Sequence, residues 1–109
     1  MMPPKRGDVY WVNLDPTVGS EIAKRRPAVV LSVDALNRQR NNVVIVPLSS
    51  KGTPRPPIVT AVTSLDKTAT ARVDQLRTID KSRLLNQLGT LSSGDMEQIE
   101  KGLRGVLGL

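Results

Sequence analysis
The chain contains no cysteine, no histidine and no phenylalanine in 109 residues, and Tyr10 and Trp11 are its only aromatic residues. Each absence closes a route. Without cysteine there is no disulfide and no thiol nucleophile, which fits a reducing compartment. Without histidine as well, the usual zinc ligand sets and an imidazole acid–base pair are both missing, and a Ser-His-Asp triad is excluded. No apolar run approaches the ~20 residues of a membrane-spanning helix. The opening "MMPPKRGDVYW" lacks the apolar core of a secretory signal. A cytoplasmic protein with no membrane partner is therefore expected. The ten carboxylates are scattered and show no close pairing, so a two-metal nuclease site is not expected. No phosphate-cradling glycine loop is present either, because "GLRGVLG" falls in a helical pattern.

Positive charge is in surplus. Sixteen Lys and Arg stand against ten Asp and Glu, for a net +6. Residues 1–91 hold fourteen basic and seven acidic residues, and between Ala35 and Leu65 there are four basic residues and no acid. Such a body suits a polyanion, because phosphate contacts release counterions. Charge alone does not choose between RNA and DNA.

Periodicity reads as a small, mostly antiparallel sheet or barrel of five strands with a C-terminal helix, in one domain spanning 1–109. Strands are expected at 7–15, 27–33, 41–50, 58–64 and 70–79. In the first, Val9, Trp11 and Asn13 share one face while Tyr10, Val12 and Leu14 share the other. Pro27 is tolerable only at a strand start, and Pro47 suggests an edge or a bulge. "KGTPRPP" at 51–57 reads as an exposed basic loop. "DKSRLLNQLG" at 80–89 reads as one or two helical turns closed by Gly89. The final stretch changes period, with Met96, Ile99, Leu103 and Val106 on one helical face. Ser92 is the expected N-cap, with Asp95 completing a capping box.

The remaining chemical inventory is Arg, Lys, Ser, Thr, Gln and isolated acids. It suits RNA cleavage, because RNA supplies its own nucleophile in the 2′-hydroxyl beside each phosphodiester. A protein then has to hold that oxygen in line with phosphorus and stabilise the dianionic phosphorane. A guanidinium matches two phosphate oxygens at once but is a poor base, with a pKa above ~12. No metal or cofactor is required for this route, the product is a cyclic phosphate, and DNA, which lacks the 2′-hydroxyl, is not cut by it. "SEIAKRRPAVVLS" stacks Lys24, Arg25 and Arg26 directly before a strand. The triplet is either a solvated loop or an anion site on a rigid edge.

"KRGDVYWVNLDPTVGSEIAKRRPAVVLS", "VVIVPLSS", "QLRTIDKSRL" and "LSSGDMEQIEKGLRGVL" resemble, in that order, the MazF/PemK growth-inhibitor toxins of bacterial toxin–antitoxin modules. The resemblance runs from Lys5 to Leu107. It implies an SH3-like β-barrel of about five to seven strands with a C-terminal helix, assembled as a homodimer. It also implies metal-independent, sequence-specific cleavage of single-stranded RNA, often mRNA. The implied partner is a cognate antitoxin whose acidic tail fills the RNA groove, with operator DNA bound only by the toxin–antitoxin complex. The family's catalytic arginine precedes the proline of R-P, which is Arg26 here; Arg25 has no such claim. The catalytic hydroxyl ends the third strand and is usually threonine; here it is Ser49, with Ser50 beside it. Ser20 and Glu21 match positions lining the RNA groove, and Asp74-Gln75 matches an acid-Gln pair there that is often Glu-Gln. Glu21 could instead pair with Lys24. Lys24, Lys51 and Arg55 are expected to attract phosphate diffusely, while Arg72 and Arg77 read as structural or interface charges. Two aromatic residues cannot build a stacking platform, and at least one is expected in the core.

Two other readings share the fold. One is a gyrase poison that cuts nothing; those relatives use a tryptophan near the C-terminus, whereas this chain ends "VLGL" and has only Trp11. The other is a non-catalytic RNA-binding barrel. Fold alone does not separate them.

Overall fold
The structure is a computed structural model that describes residues 2–109; Met1, the first residue of the expected 1–109 domain, lies outside them. Seven antiparallel strands and two helices follow in chain order. They are β1 (Asp8–Asn13), β2 (Arg25–Val30), α1 (Asp34–Gln39), β3 (Asn42–Ser49), β4 (Val59–Val62), β5 (Ala69–Arg72), β6 (Arg77–Asp80), β7 (Leu84–Thr90) and α2 (Ser93–Leu107). The sheet runs β4-β5-β3-β2-β1-β7, and β6 also pairs with β3. This is the expected mainly-β architecture with a C-terminal helix. Its seven strands form an open sheet ending at β4 and β7.

The alternation of β1 to β3 explains two cores. Val9, Val29, Val46 and Leu48 point to one face and meet Met96 and Ile99 of α2. Tyr10, Val12, Ala28, Val30, Val43 and Ile45 point to the other and enclose Leu14 and Ile79. A strand apolar on both faces at its middle, as "PAVVLSV" is, needs a core on each side. The aromatic pair divides accordingly: Tyr10 is 7% exposed and Trp11 is 36% exposed.

Both prolines sit where a ladder donor is not required. Leu31 donates its N–H to Val44 O on β3 (2.8 Å), so by alternation residue 27 would also donate toward β3. Pro27 has no such donor, and the β2–β3 ladder stops at Ala28 opposite Pro47. Pro47 itself stands where β3 changes partner, from β6 at residues 42–45 to β5 at residues 48–49.

Four expectations are corrected. The strand expected at 70–79 is broken by a 3-10 turn at Val73–Gln75. Val73 and Leu76 both reach the α2-side core, a spacing of three that no single strand accommodates. The helical stretch expected at 80–89 is a 3-10 turn at Lys81–Arg83 followed by β7, and Gly89 lies within that strand. The second strand starts at Arg25 and ends at Val30, and α1, with no counterpart in the periodicity, follows it. The capping box is half formed. Ser92 Oγ accepts the Asp95 N–H (3.2 Å), but the Asp95 carboxylate turns to a different segment, described below. The buried face of α2 is Asp95, Met96, Ile99 and Gly102, and Val106 is 37% exposed. Gly102 is needed there, because a Cβ would come within 2.7 Å of Pro57 O.

Candidate active site
Past Pro27 the strands β2 and β3 are no longer laddered. Carried on from Ala28 opposite Pro47, the same register sets Arg26 opposite Ser49 and Arg25 opposite Ser50. All four border one cleft of about 570 Å³. Its lining also includes the β4–β5 connection from Ser64 to Thr68, Ala69 at the start of β5, and Trp11, Leu88 and Thr90. Alternation assigns the side chains to two faces. Arg26 pairs with Val12 and follows the Tyr10-side core; Arg25 pairs with Asn13 and follows the face of Trp11 and Pro27.

Arg26 is half-buried and donates its Nε–H to Ala23 O (3.3 Å). The one ion pair among the described residues joins Arg6 to Glu100 (2.6 Å), so no carboxylate neutralises Arg25 or Arg26. Ser49 is 6% exposed. Its Oγ accepts the Lys51 N–H (3.1 Å), which orients the oxygen and leaves its own proton available to donate. A guanidinium and a hydroxyl at the open end of two strands can together bind a phosphate and donate to its oxygens.

The remaining candidates lie elsewhere. Ser20, Glu21, Asp74 and Gln75 line a second cleft of about 340 Å³, together with Ile22, Leu76 and Arg77. Asp74 and Gln75 also border a third, of about 480 Å³, formed with Arg55 and Arg72. Gln75 Oε1 accepts the Ile22 N–H (2.5 Å), tying the turn at residues 73–75 to the β1–β2 loop. Arg77 and Arg83 hold the start of that loop through Leu14 O (3.2 Å) and Asp15 O (2.7 Å). Ile22 packs on the Tyr10-side core, the same side that Arg26 follows. Glu21 does not pair with Lys24; its Oε1 accepts the Val18 N–H (2.5 Å). Lys24 and Lys51 line none of these three clefts. Lys24 has a positive φ of 70° and donates its N–H to Asp15 Oδ1 (3.1 Å). Lys51 is exposed, and its carbonyl accepts from Thr70 Oγ1 (3.1 Å).

The sequence reading missed the cleft wall and its anchor. Asp95, 5% exposed at the start of α2, accepts N–H groups from Thr63 and Ser64 (both 2.9 Å) and the Ser64 hydroxyl (2.5 Å). Ser64 Oγ in turn accepts the Ser92 N–H (3.0 Å). Burial pushes the Asp95 carboxyl up, and the hydrogen bonds from Ser64 and Thr63 more than offset it, leaving the group below the usual carboxylate range. The sequence signal for Asp95 was its N-terminal helix position, which does not reveal a partner thirty residues away.

Comparison with known proteins agrees with this architecture. A family profile described as "PemK-like, MazF-like toxin of type II toxin-antitoxin system" matches residues 5–107. Endoribonuclease MazF9 of Mycobacterium tuberculosis is 34% identical over 109 residues, covering 92% of each chain. A crystal structure of MazF from Deinococcus radiodurans superposes with a TM-score of 0.90 at 27% identity, over 100% of both chains. An endoribonuclease in complex with its cognate antitoxin from a mycobacterial species does so with a TM-score of 0.82 at 29% identity, over 97% of this chain and 96% of that one.

Proposed function
The chain belongs to the PemK-like, MazF-like toxin family of type II toxin–antitoxin systems, and from that premise we propose how its residues cut RNA. The protein is an endoribonuclease toxin that cleaves single-stranded RNA, mRNA included, at short sequences. The 2′-hydroxyl beside the scissile bond gives up its proton to solvent as its oxygen bonds to phosphorus, the P–O5′ bond breaks, and the leaving 5′-oxygen takes up a proton, so that a 2′,3′-cyclic phosphate and a 5′-hydroxyl remain. Arg26 binds the non-bridging oxygens and stabilises the charge that builds on them. Ser49 donates a hydrogen bond to the same group. Each well-aimed donor of this kind is worth roughly 100–1,000-fold in rate. Neither step calls for a metal.

The observation that supports this assignment is that Arg26 and Ser49 line one cleft, each two residues beyond the last β2–β3 rung, Ala28 opposite Pro47. Ser20, Glu21, Asp74 and Gln75, gathered at the second cleft, bind and select bases by hydrogen bonding to their exposed edges. Lys24 and Lys51 contribute long-range attraction to the strand. The endoribonuclease names of the relatives favour cleavage over gyrase binding. No helix among the described residues is long and apolar enough to cross a membrane. Residues 1–109 act as one toxin domain in the cytoplasm, as a homodimer held inactive by a cognate antitoxin, and reach operator DNA only through that complex.

Purified protein incubated in EDTA should cut a long RNA and leave DNA of the same sequence intact. Cleavage that vanishes with EDTA and returns with a divalent cation would reject the metal-free route.

A further inference from the structure
We infer that Thr70 is a positioning residue for the reaction: from β5, its buried hydroxyl fixes the turn that aims Ser49 Oγ. This rests on the assignment of Ser49 above. Ser49 and Thr70 stand opposite each other where β3 pairs with β5. Thr70 is 5% exposed and borders none of the three clefts, so it acts through another group and not on substrate. Its Oγ1 lies 3.3 Å from Ser49 O and 3.1 Å from Lys51 O, and its single proton is shared between the two carbonyls.

Those carbonyls belong to the peptide units on either side of the one that carries the Lys51 N–H. That N–H is the donor to Ser49 Oγ (3.1 Å). Holding both flanking units therefore holds the donor between them. Arg72 supports the second carbonyl, with Nη2 donating to Lys51 O at 3.3 Å. Gly52 follows at φ 93°, where a Cβ would come within 2.9 Å of Arg72 Nη2, so both its conformation and the close approach favour glycine. Serine needs this outside hold more than threonine does, because it lacks the branch at Cβ that restricts χ1. A reacting group displaced by an ångström can lose about 100-fold in rate. Lys51 thus acts on Ser49 through its backbone, and its exposed side chain plays no part in aiming the hydroxyl.

The experiment is a four-protein cycle on one RNA that the protein cuts: parent, Thr70→Val, Ser49→Ala and the double variant, with kcat, KM and a thermal melt for each. Thr70→Val keeps the shape of the side chain and removes the donor. It should lower kcat by about three- to tenfold with KM little changed, and Thr70→Ser should keep the parental kcat. On Ser49→Ala the valine should cost nothing further in kcat. A parental kcat for Thr70→Val would overturn the inference. So would a loss that repeats in full on Ser49→Ala, because Thr70 would then act without Ser49. Amide hydrogen exchange needs no Thr70 variant. The Lys51 N–H should be protected in the parent and lose protection in Ser49→Ala. An unprotected Lys51 amide in the parent overturns the inference even if Thr70→Val does not fold. Ser49→Ala cutting at the parental rate removes the Ser49 assignment itself, and this inference with it.

Discussion

Arg26 on β2 and Ser49 on β3 line one cleft, each two residues beyond the last rung of the β2–β3 ladder. The last rung is Ala28 opposite Pro47. Pro27 lacks the N–H that would continue the ladder, and beyond it a cation and a hydroxyl border one cleft.

Removing the guanidinium should remove the chemistry and spare the fold. Arg26 makes one neutral-acceptor hydrogen bond, to Ala23 O, worth about 1 kcal/mol net. Arg26→Ala should therefore melt within a few degrees of the parent while losing about 100–1,000-fold in kcat. Arg26→Lys keeps the charge without the planar fork and should fall between the two. Single-turnover cleavage of one defined RNA, beside a thermal melt of each variant, measures both effects.

The family resemblance sets Ser49 at a position where threonine is common. Ser49→Ala should lower the rate by about tenfold or more while KM changes little, because the donor acts on developing charge. Ser49→Thr should retain activity, since the hydroxyl stays and the added methyl restricts its rotamer. The comparison is made from kcat and KM for the three proteins on one substrate.

Asp95 should matter to stability in a pH-dependent way. Its folded carboxyl lies below the usual range, through the hydrogen bonds of Ser64 and Thr63 acting against burial. A depressed folded value means the contribution is complete above the unfolded value of ~3.9 and is lost as pH falls through the folded value. Asp95→Asn should cost about 2–3 kcal/mol at neutral pH, because two backbone N–H groups and a hydroxyl lose their charged acceptor. The difference between parent and variant should stay constant from pH 7 to about 5 and narrow below about 4. Urea unfolding at several pH values follows it.

Gly102 gives a case where packing and propensity oppose each other. Alanine in a helix gains up to ~1 kcal/mol over glycine. At residue 102, however, the added Cβ meets Pro57 O at 2.7 Å and Val73 Cγ2 at 3.2 Å. Backbone does not yield cheaply, and overpacking costs typically ~1–3 kcal/mol. Gly102→Ala should be net destabilising, read as a lower midpoint in the same urea titration.

Long-period features were readable in the sequence, and features defined by a tertiary partner were not. β1, β3 and α2 follow from short apolar runs bounded by turn residues and from helical spacing, and the Ser92 cap from its position. The 3-10 turn at Val73–Gln75 was hidden because "TARVDQLRTI" alternates well enough to pass as one strand. β7 was hidden because it presents few apolar residues at alternate positions: only Leu84 is buried, and its pairing with β1 shifts register twice. α1 spans six residues and its N-cap Val33 makes no side-chain hydrogen bond, so no capping signal announced it. At the site, Arg26 and Ser49 came from a family resemblance, while the cleft that both line depends on how β2 and β3 pair up to Ala28 and Pro47. The clustering of Ser20, Glu21, Asp74 and Gln75 depends on contacts across more than fifty residues, such as Gln75 with Ile22.

The central claim, that the RNA supplies the attacking oxygen to a phosphodiester held by Arg26 and Ser49, is tested by changing one atom of the substrate. An RNA that the protein cuts at one position is prepared with deoxyribose at that nucleotide alone. Cleavage there should disappear while binding by anisotropy persists. Continued cutting at the substituted position would mean that an outside nucleophile attacks, and would contradict the account.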